Sequence, residues 1–78
     1  MRIAVLGGAG EIGRAVVNHL LDRSDASVVI ADVREETGYR LAKRLGPRTT
    51  FHLMDAGRGR TVIRAVEGCA VAINCIGP

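Results

Sequence analysis

The stretch that most narrows the choice of fold is "RIAVLGGAGEIGRAVV", residues 2–17. Residues 2–6, "RIAVL", are a short apolar run that stops at glycine, as a buried strand does. Residues 11–23 then place Ile12, Val16 and Leu20 at four-residue spacing, with Ala15, Val17 and Leu21 widening the stripe. That is the pattern of a helix with a broad buried face. Between the two, Gly8, Gly10 and Gly13 fit G-x-G-x-x-G. A strand that runs through a glycine cluster directly into a helix is the opening of a βαβ unit, and such a unit needs further parallel strands.

The rest of the chain supplies them. "DRSDAS" breaks the first helix with polar turn-formers, and "VVIADV", residues 28–33, is a second, β-branched strand. Residues 35–45 predict a second helix with Tyr39, Leu41, Ala42 and Leu45 inward, stopped by Gly46-Pro47. "TTFHLM", 49–54, is a third strand, more polar and so placed at an edge. A helix over 58–67 buries Val62, Ile63 and Val66 and ends at Gly68. "AVAINCI", 70–76, is a fourth strand. Strictly alternating strands and helices imply a parallel sheet with right-handed crossovers. The expected fold is therefore α/β: a truncated, doubly wound, Rossmann-like sheet of four strands in order 3-2-1-4 with three helices. The first two helices cover one face and the third covers the other. Seventy-eight residues make one partial domain, 1–78, and leave no room for a second. Aromatic residues are only 3% of the chain against 47% hydrophobic overall, so the core is built from Val, Ile, Leu and Ala, a composition suited to buried parallel strands.

The glycine cluster has a chemical reading. Gly8 permits the sharp turn out of the strand. Gly10, without a Cβ, lets a pyrophosphate approach the backbone, and Gly13 lets the helix pack closely on the sheet. The free N–H groups and dipole of the helix start favour a phosphate there. Gly8 to Gly13 also has P-loop spacing, but Arg14-Ala15 stands where Lys-Ser/Thr is required, which excludes that loop. Asp32 lies near the C-terminal end of the second strand, where a carboxylate accepts hydrogen bonds from the adenosine ribose of a dinucleotide. A carboxylate there repels the 2′-phosphate of NADP and so favours NAD. Arg34, two residues on, can bind that phosphate and leaves NADP open. Asp55 ends the third strand and either faces the adenine edge or caps the third helix. Asn74 and Gly77 lie at the end of the fourth strand, on the side of the cofactor's ribose and nicotinamide half. The candidate cofactor-binding set is Gly8, Ala9, Gly10, Glu11, Ile12 and Gly13; Asp32, Val33 and Arg34; Asp55 and Ala56; and Asn74 and Gly77.

Other features are set aside. Glu11 complements the helix dipole and is no catalytic base. Cys75 is a packed thiol without a histidine to activate it, and His19 and His52 do not pair into a metal site. Tyr39 and Lys43 match the Y-x-x-x-K of short-chain dehydrogenases by chance, since they follow the second strand, on the adenosine side. The net charge of +3 comes from scattered arginines, Lys43 being the only lysine, with no stripe or interleaved aromatics to suggest nucleic acid. No run approaches a membrane span, and "MRIAVLGGAG" breaks at Gly7, too early for a secretion signal. The expectation is a cytoplasmic protein with two free thiols, Cys69 and Cys75.

Taken in order, Gly8, Gly10, Gly13, Asp32, Asp55, Asn74, Gly77 and Pro78 resemble the N-terminal cofactor domain of saccharopine dehydrogenase-like oxidoreductases, with "AINCIGP" the most discriminating part. Gly7, Gly10 and Gly13 also satisfy G-x-x-G-x-x-G, the loop of extended short-chain dehydrogenases. The saccharopine resemblance implies a nicotinamide dinucleotide cofactor in an oxidoreductase whose substrate-binding residues lie beyond this sequence; no residue here is assigned to catalysis. The alternative is a non-catalytic half-domain that self-associates, or assembles with a partner chain, through the open edge of the fourth strand.

Overall fold

The computed structural model describes residues 1–77; Pro78, the second half of the Gly-Pro ending, lies outside the described residues. Strands β1 (Arg2–Leu6), β2 (Ser27–Asp32), β3 (Thr49–Leu53) and β4 (Val71–Asn74) alternate with helices α1 (Glu11–Arg23), α2 (Glu35–Leu45) and α3 (Gly59–Val66). The sheet is parallel with order β3-β2-β1-β4, as the alternation predicts. The polar β3 is at one edge. Leu6 of β1 is in register with Ala31 and with Asn74, so the strands end together along one side of the sheet.

Two clusters cover the two faces. Val5, Val28 and Ile30 meet Val17 of α1 and Leu41 and Ala42 of α2 on one face. Ala31, Met54 and Ala65 of α3 form the smaller cluster on the other. The helices are rotated relative to the sequence expectation. In α1 the buried line is Gly13 and Val17, with Val16, Leu20 and Leu21 beside it, while Ala15 is exposed and Ile12 is 72% exposed. The cause is Gly13: a Cβ there would lie 2.1 Å from the Gly7 carbonyl oxygen, so the helix docks on that point and Ile12 swings out. In α3, Ala65 takes the inward place and Ile63 is 65% exposed. In α2, Gly38, Leu41 and Ala42 face inward and Tyr39 lies outside, tilted against Phe51 with ring centroids 5.1 Å apart.

Strand limits also move. β2 begins and ends one residue earlier than expected, so Asp32 is its last residue and Val33 lies in the turn. β4 is shorter than 70–76. The Cys75 N–H still donates to the Leu6 carbonyl, but Asn74 Oδ1 then accepts the Ile76 N–H and turns the chain away.

Candidate cofactor site

The loop from β1 to α1 turns at Gly7, not at Gly8. Gly7 has φ +82°, in the left-handed region that glycine enters at little cost. Its N–H, with that of Gly8, donates to the Ala31 carbonyl, which ties the loop to the end of β2. Gly8 is buried against Ile30 and the Val5 carbonyl. Ala9 is pinned at both ends: its N–H donates to Asp32 Oδ2 at 3.0 Å, and its carbonyl accepts Arg14 Nε–H at 3.0 Å. Gly10 is the N-cap of α1 and has no side chain to cap it. The first-turn N–H groups that follow, of Glu11, Ile12 and Gly13, have no acceptor four residues back.

A cleft of about 530 Å³ opens over this helix end, along the carboxyl ends of the strands. That is where ligands bind in open α/β sheets. Its floor is Gly7, Gly10 and Cys75, and Glu11 and Ile12 rise from α1. Val33 and Arg34 close it on the β2 side; Met54, Asp55 and Ala56 on the β3 side; and Ile76 and Gly77 beyond β4. Of the expected residues, Gly10, Glu11, Ile12, Asp32, Val33, Arg34, Asp55, Ala56 and Gly77 are brought together. Gly8, Ala9 and Gly13 lie beneath the cleft and shape it from behind. Asn74 is spent on the turn to Ile76 and does not line it. Sequence reasoning did not place Gly7, Met54, Cys75 or Ile76 there. The G-x-x-G-x-x-G register pointed to Gly7, and nothing marked the others.

Asp32 is only 3% exposed. Besides the Ala9 N–H, it accepts the backbone N–H of Arg34 on Oδ1 at 3.0 Å, Arg34 Nε–H on Oδ1 at 2.9 Å and Arg34 Nη2–H on Oδ2 at 3.0 Å. Burial by itself pushes this carboxyl up. The hydrogen bonds from Arg34 and Ala9 and the guanidinium charge outweigh it and hold the group below its ordinary value. The same pairing raises Arg34. The guanidinium reaches toward the glycine loop: its Nη2 lies 3.0 Å from where a Cβ on Gly10 would sit.

Asp55 does not cap α3, as one of its two expected roles required. The N-cap is Arg58, without a side-chain cap bond. Asp55 Oδ1 accepts the Gly57 N–H at 2.9 Å, and the side chain stays at the wall of the cleft, half-exposed. Tyr39 lies off the cleft, beside Phe51, away from any role at this site. Among the described residues, no three His, Cys, Asp or Glu side chains come close enough to hold a metal ion, and no helix is long and apolar enough to cross a membrane.

The chain has known relatives. Residues 3–78 match the saccharopine dehydrogenase NADP-binding domain. The chain belongs to that family. The chain is also similar to individual proteins. It is 43% identical over 63 residues to the sex determination protein tasselseed-2 of Zea mays, covering 81% of this chain and 18% of that protein. It is 31% identical over 80 residues to a 3-hydroxyacyl-CoA dehydrogenase type-2 of Drosophila melanogaster, covering 94% of this chain and 31% of that one. Among solved structures, the 3-hydroxyacyl-CoA dehydrogenase type-2 of Mycobacterium avium superimposes with a TM-score of 0.86 at 32% identity, over 99% of this chain and 32% of that chain. A short-chain dehydrogenase/reductase of Veillonella parvula, in complex with NADP, shares the fold with a TM-score of 0.80 at 21% identity, over 94% of this chain and 34% of that chain. The chain thus spans between about a fifth and a third of the length of these relatives. Family and fold together support a nicotinamide dinucleotide as the ligand of this domain.

Proposed function

We propose that the chain binds NADP in preference to NAD in the cleft over α1, as the N-terminal part of the cofactor domain of a saccharopine dehydrogenase-like oxidoreductase. The observation that carries the reading is Arg34, clamped to Asp32 and held over Gly10 at the helix start. A guanidinium in that place binds the 2′-phosphate that an unpaired carboxylate would repel. The preference for NAD read from Asp32 alone gives way, because that charge is already neutralised. The family's NADP-binding character and the NADP complex of the Veillonella parvula relative lean the same way.

In this reading the pyrophosphate lies against the first-turn N–H groups of Glu11, Ile12 and Gly13, admitted by the bare Cα of Gly10. The exposed side chains of Ile12 and Val33 cover apolar faces of the adenosine half, and Asp55 and Ala56 meet the adenine edge. Gly77 borders the ribose on the nicotinamide side, with Asn74 holding the turn behind it. Gly8, Ala9 and Gly13 keep the loop in shape. Bound NADP supplies hydride transfer; the residues of this chain bind and orient it, and none is assigned a proton transfer. Residues 1–78 are on this reading a partial domain, and the free thiols of Cys69 and Cys75 suit a reducing compartment such as the cytoplasm.

The enhancement of NADPH fluorescence on titration with the protein tests the proposal. Saturable enhancement, competed by NADP more strongly than by NAD, is expected; no enhancement with either reduced dinucleotide refutes it. A second reading, assembly with another chain, is favoured by β4, whose outer edge is unpaired among the described residues and whose Val71 is 45% exposed.

A further inference from the structure

The glycine that admits a pyrophosphate also leaves its own backbone free. Gly10 has no Cβ to restrict the peptide before it, and as the N-cap of α1 it has no side chain to bond the helix start. Hydrogen bonds must therefore set the orientation of the Ala9–Gly10 peptide. Its N–H donates to the Gly7 carbonyl at 3.1 Å. Its carbonyl, that of Ala9, lies outside the helical ladder, which begins one residue later with the Arg14 N–H on the Gly10 carbonyl. The Arg14 side chain reaches back from α1 and takes it, donating from Nε at 3.0 Å. Resting on the dinucleotide reading above, we infer that Arg14 is a positioning residue for the pyrophosphate: it holds the Ala9 carbonyl behind the glycine loop, so that this oxygen cannot turn toward the phosphates.

Losing that hold has an electrostatic cost. A carbonyl oxygen carries partial negative charge. Turned into the cleft beside the helix start, it would oppose the anion that the first-turn N–H groups of Glu11 and Ile12 attract. Neither Ala9 nor Arg14 lines the cleft, so the bond between them lies behind the loop, with Ala9 buried and Arg14 half-buried. Among the described residues Arg14 forms no ion pair, so no carboxylate draws its guanidinium away from Ala9. The neighbouring Gly8–Ala9 peptide is held from the other side, because its N–H donates to Asp32 Oδ2 at 3.0 Å. Two consecutive peptides of the turn are thus fixed before a ligand arrives, one by Asp32 and one by Arg14. A loop formed in advance reduces the ordering cost of binding.

Two substitutions separate the bond to Ala9 from the charge of the guanidinium. Glutamine Nε2 stands at the same place along the side chain as arginine Nε, so Arg14→Gln keeps a donor there and removes the charge. Arg14→Met keeps the length and removes both. Each variant is titrated calorimetrically with NADPH, after circular dichroism has shown it folded. Arg14→Met is expected to weaken NADPH about tenfold, the scale of one lost charge-assisted hydrogen bond, and Arg14→Gln to stay within about threefold of the wild type. An Arg14→Gln protein weakened as much as Arg14→Met would mean that the charge acts on the phosphates directly, and that overturns the inference. So does a folded Arg14→Met protein that melts earlier yet binds NADPH like the wild type, since the bond is then only structural. Should Arg14→Met not fold, Arg14→Gln against Arg14→Lys decides: equal affinities support the bond to Ala9, and a loss in Arg14→Gln alone overturns it. Wild-type protein that binds no NADPH removes the dinucleotide reading and this inference with it, whereas a wild type that binds beside an unaffected Arg14→Met removes this inference alone.

Discussion

Gly13→Ala probes the contact on which the loop, the helix and the cleft all depend. A Cβ at this position would lie 2.1 Å from the Gly7 carbonyl oxygen, 2.7 Å from Gly8 Cα and 2.8 Å from Gly7 C. All three are backbone atoms, so no side chain can rotate out of the way. The loop and α1 must separate by more than 1 Å to reach ordinary contact, which begins at 3.4 Å. Overpacking of this kind costs about 1–3 kcal/mol, and backbone neighbours place it at the upper end. Gly13 is in the first turn, so alanine gains at most the helix-interior value of about 1 kcal/mol over glycine, which leaves a net loss of about 2 kcal/mol. In a domain of this size that lowers Tm by about 8–16 °C. The assay is thermal unfolding followed by circular dichroism, without ligand. Gly59→Ala is the control: Gly59 opens α3, and a Cβ there meets nothing within 4 Å, so its Tm should hold or rise. A Gly13→Ala protein that melts with the wild type would refute the close docking of α1 on Gly7.

Three further outcomes are expected. Gly38→Ala drives a Cβ to 2.1 Å from Phe51 Cε1, so it lowers Tm, and Phe51→Leu in the same chain recovers part of the loss; equal melting of Gly38→Ala and wild type contradicts this. Asp32 is held below its unfolded-chain value of 3.8, so its ionised form stabilises the fold fully above that pH and this contribution is lost as pH falls through the lower folded-state value. Acid unfolding of the wild type should therefore be steeper below 3.8 than that of Asp32→Asn, and identical acid limbs would count against the clamp. If β4 pairs with a second copy, sedimentation velocity shows mass rising with concentration in the wild type and not in Val71→Lys; a wild-type monomer at every concentration removes that reading.

The fold was legible because it rests on periodicities that survive without tertiary detail. Runs such as "RIAVL" and the β-branched 28–33 mark strands, and Gly46-Pro47 marks a helix end. The polar character of β3 correctly placed it at an edge. What the sequence could not convey was rotation. The spacing of Ile12, Val16 and Leu20 describes an apolar stripe, but Gly13 decides which way α1 turns, and its role depends on a carbonyl that only the folded loop brings near. Ile12 therefore lies at the cleft mouth and not in the core, and in α3 it is Ala65, not Ile63, that faces inward. At the site, Asp32 and Arg34 were both visible as residues. Their pairing was not, because it depends on side-chain direction; on the reading proposed above, it turns the preference from NAD to NADP. Asn74 shows the converse: a polar residue at the right strand end whose side chain closes a local turn instead of facing the cleft.

The central claim is that a nicotinamide dinucleotide lies over the bare Cα of Gly10. Calorimetric titration of the wild type and of Gly10→Val with NADPH tests it most directly. A side chain at residue 10 would project over the helix start, where the pyrophosphate is assigned, and its Cβ would already crowd Arg34 Nη2 at 3.0 Å and the Gly7 carbonyl oxygen at 3.3 Å. The account predicts saturable binding of one NADPH per wild-type chain and its loss in a Gly10→Val protein that remains folded. Absence of binding to the wild type at millimolar NADPH, or equal binding by the folded variant, would contradict it.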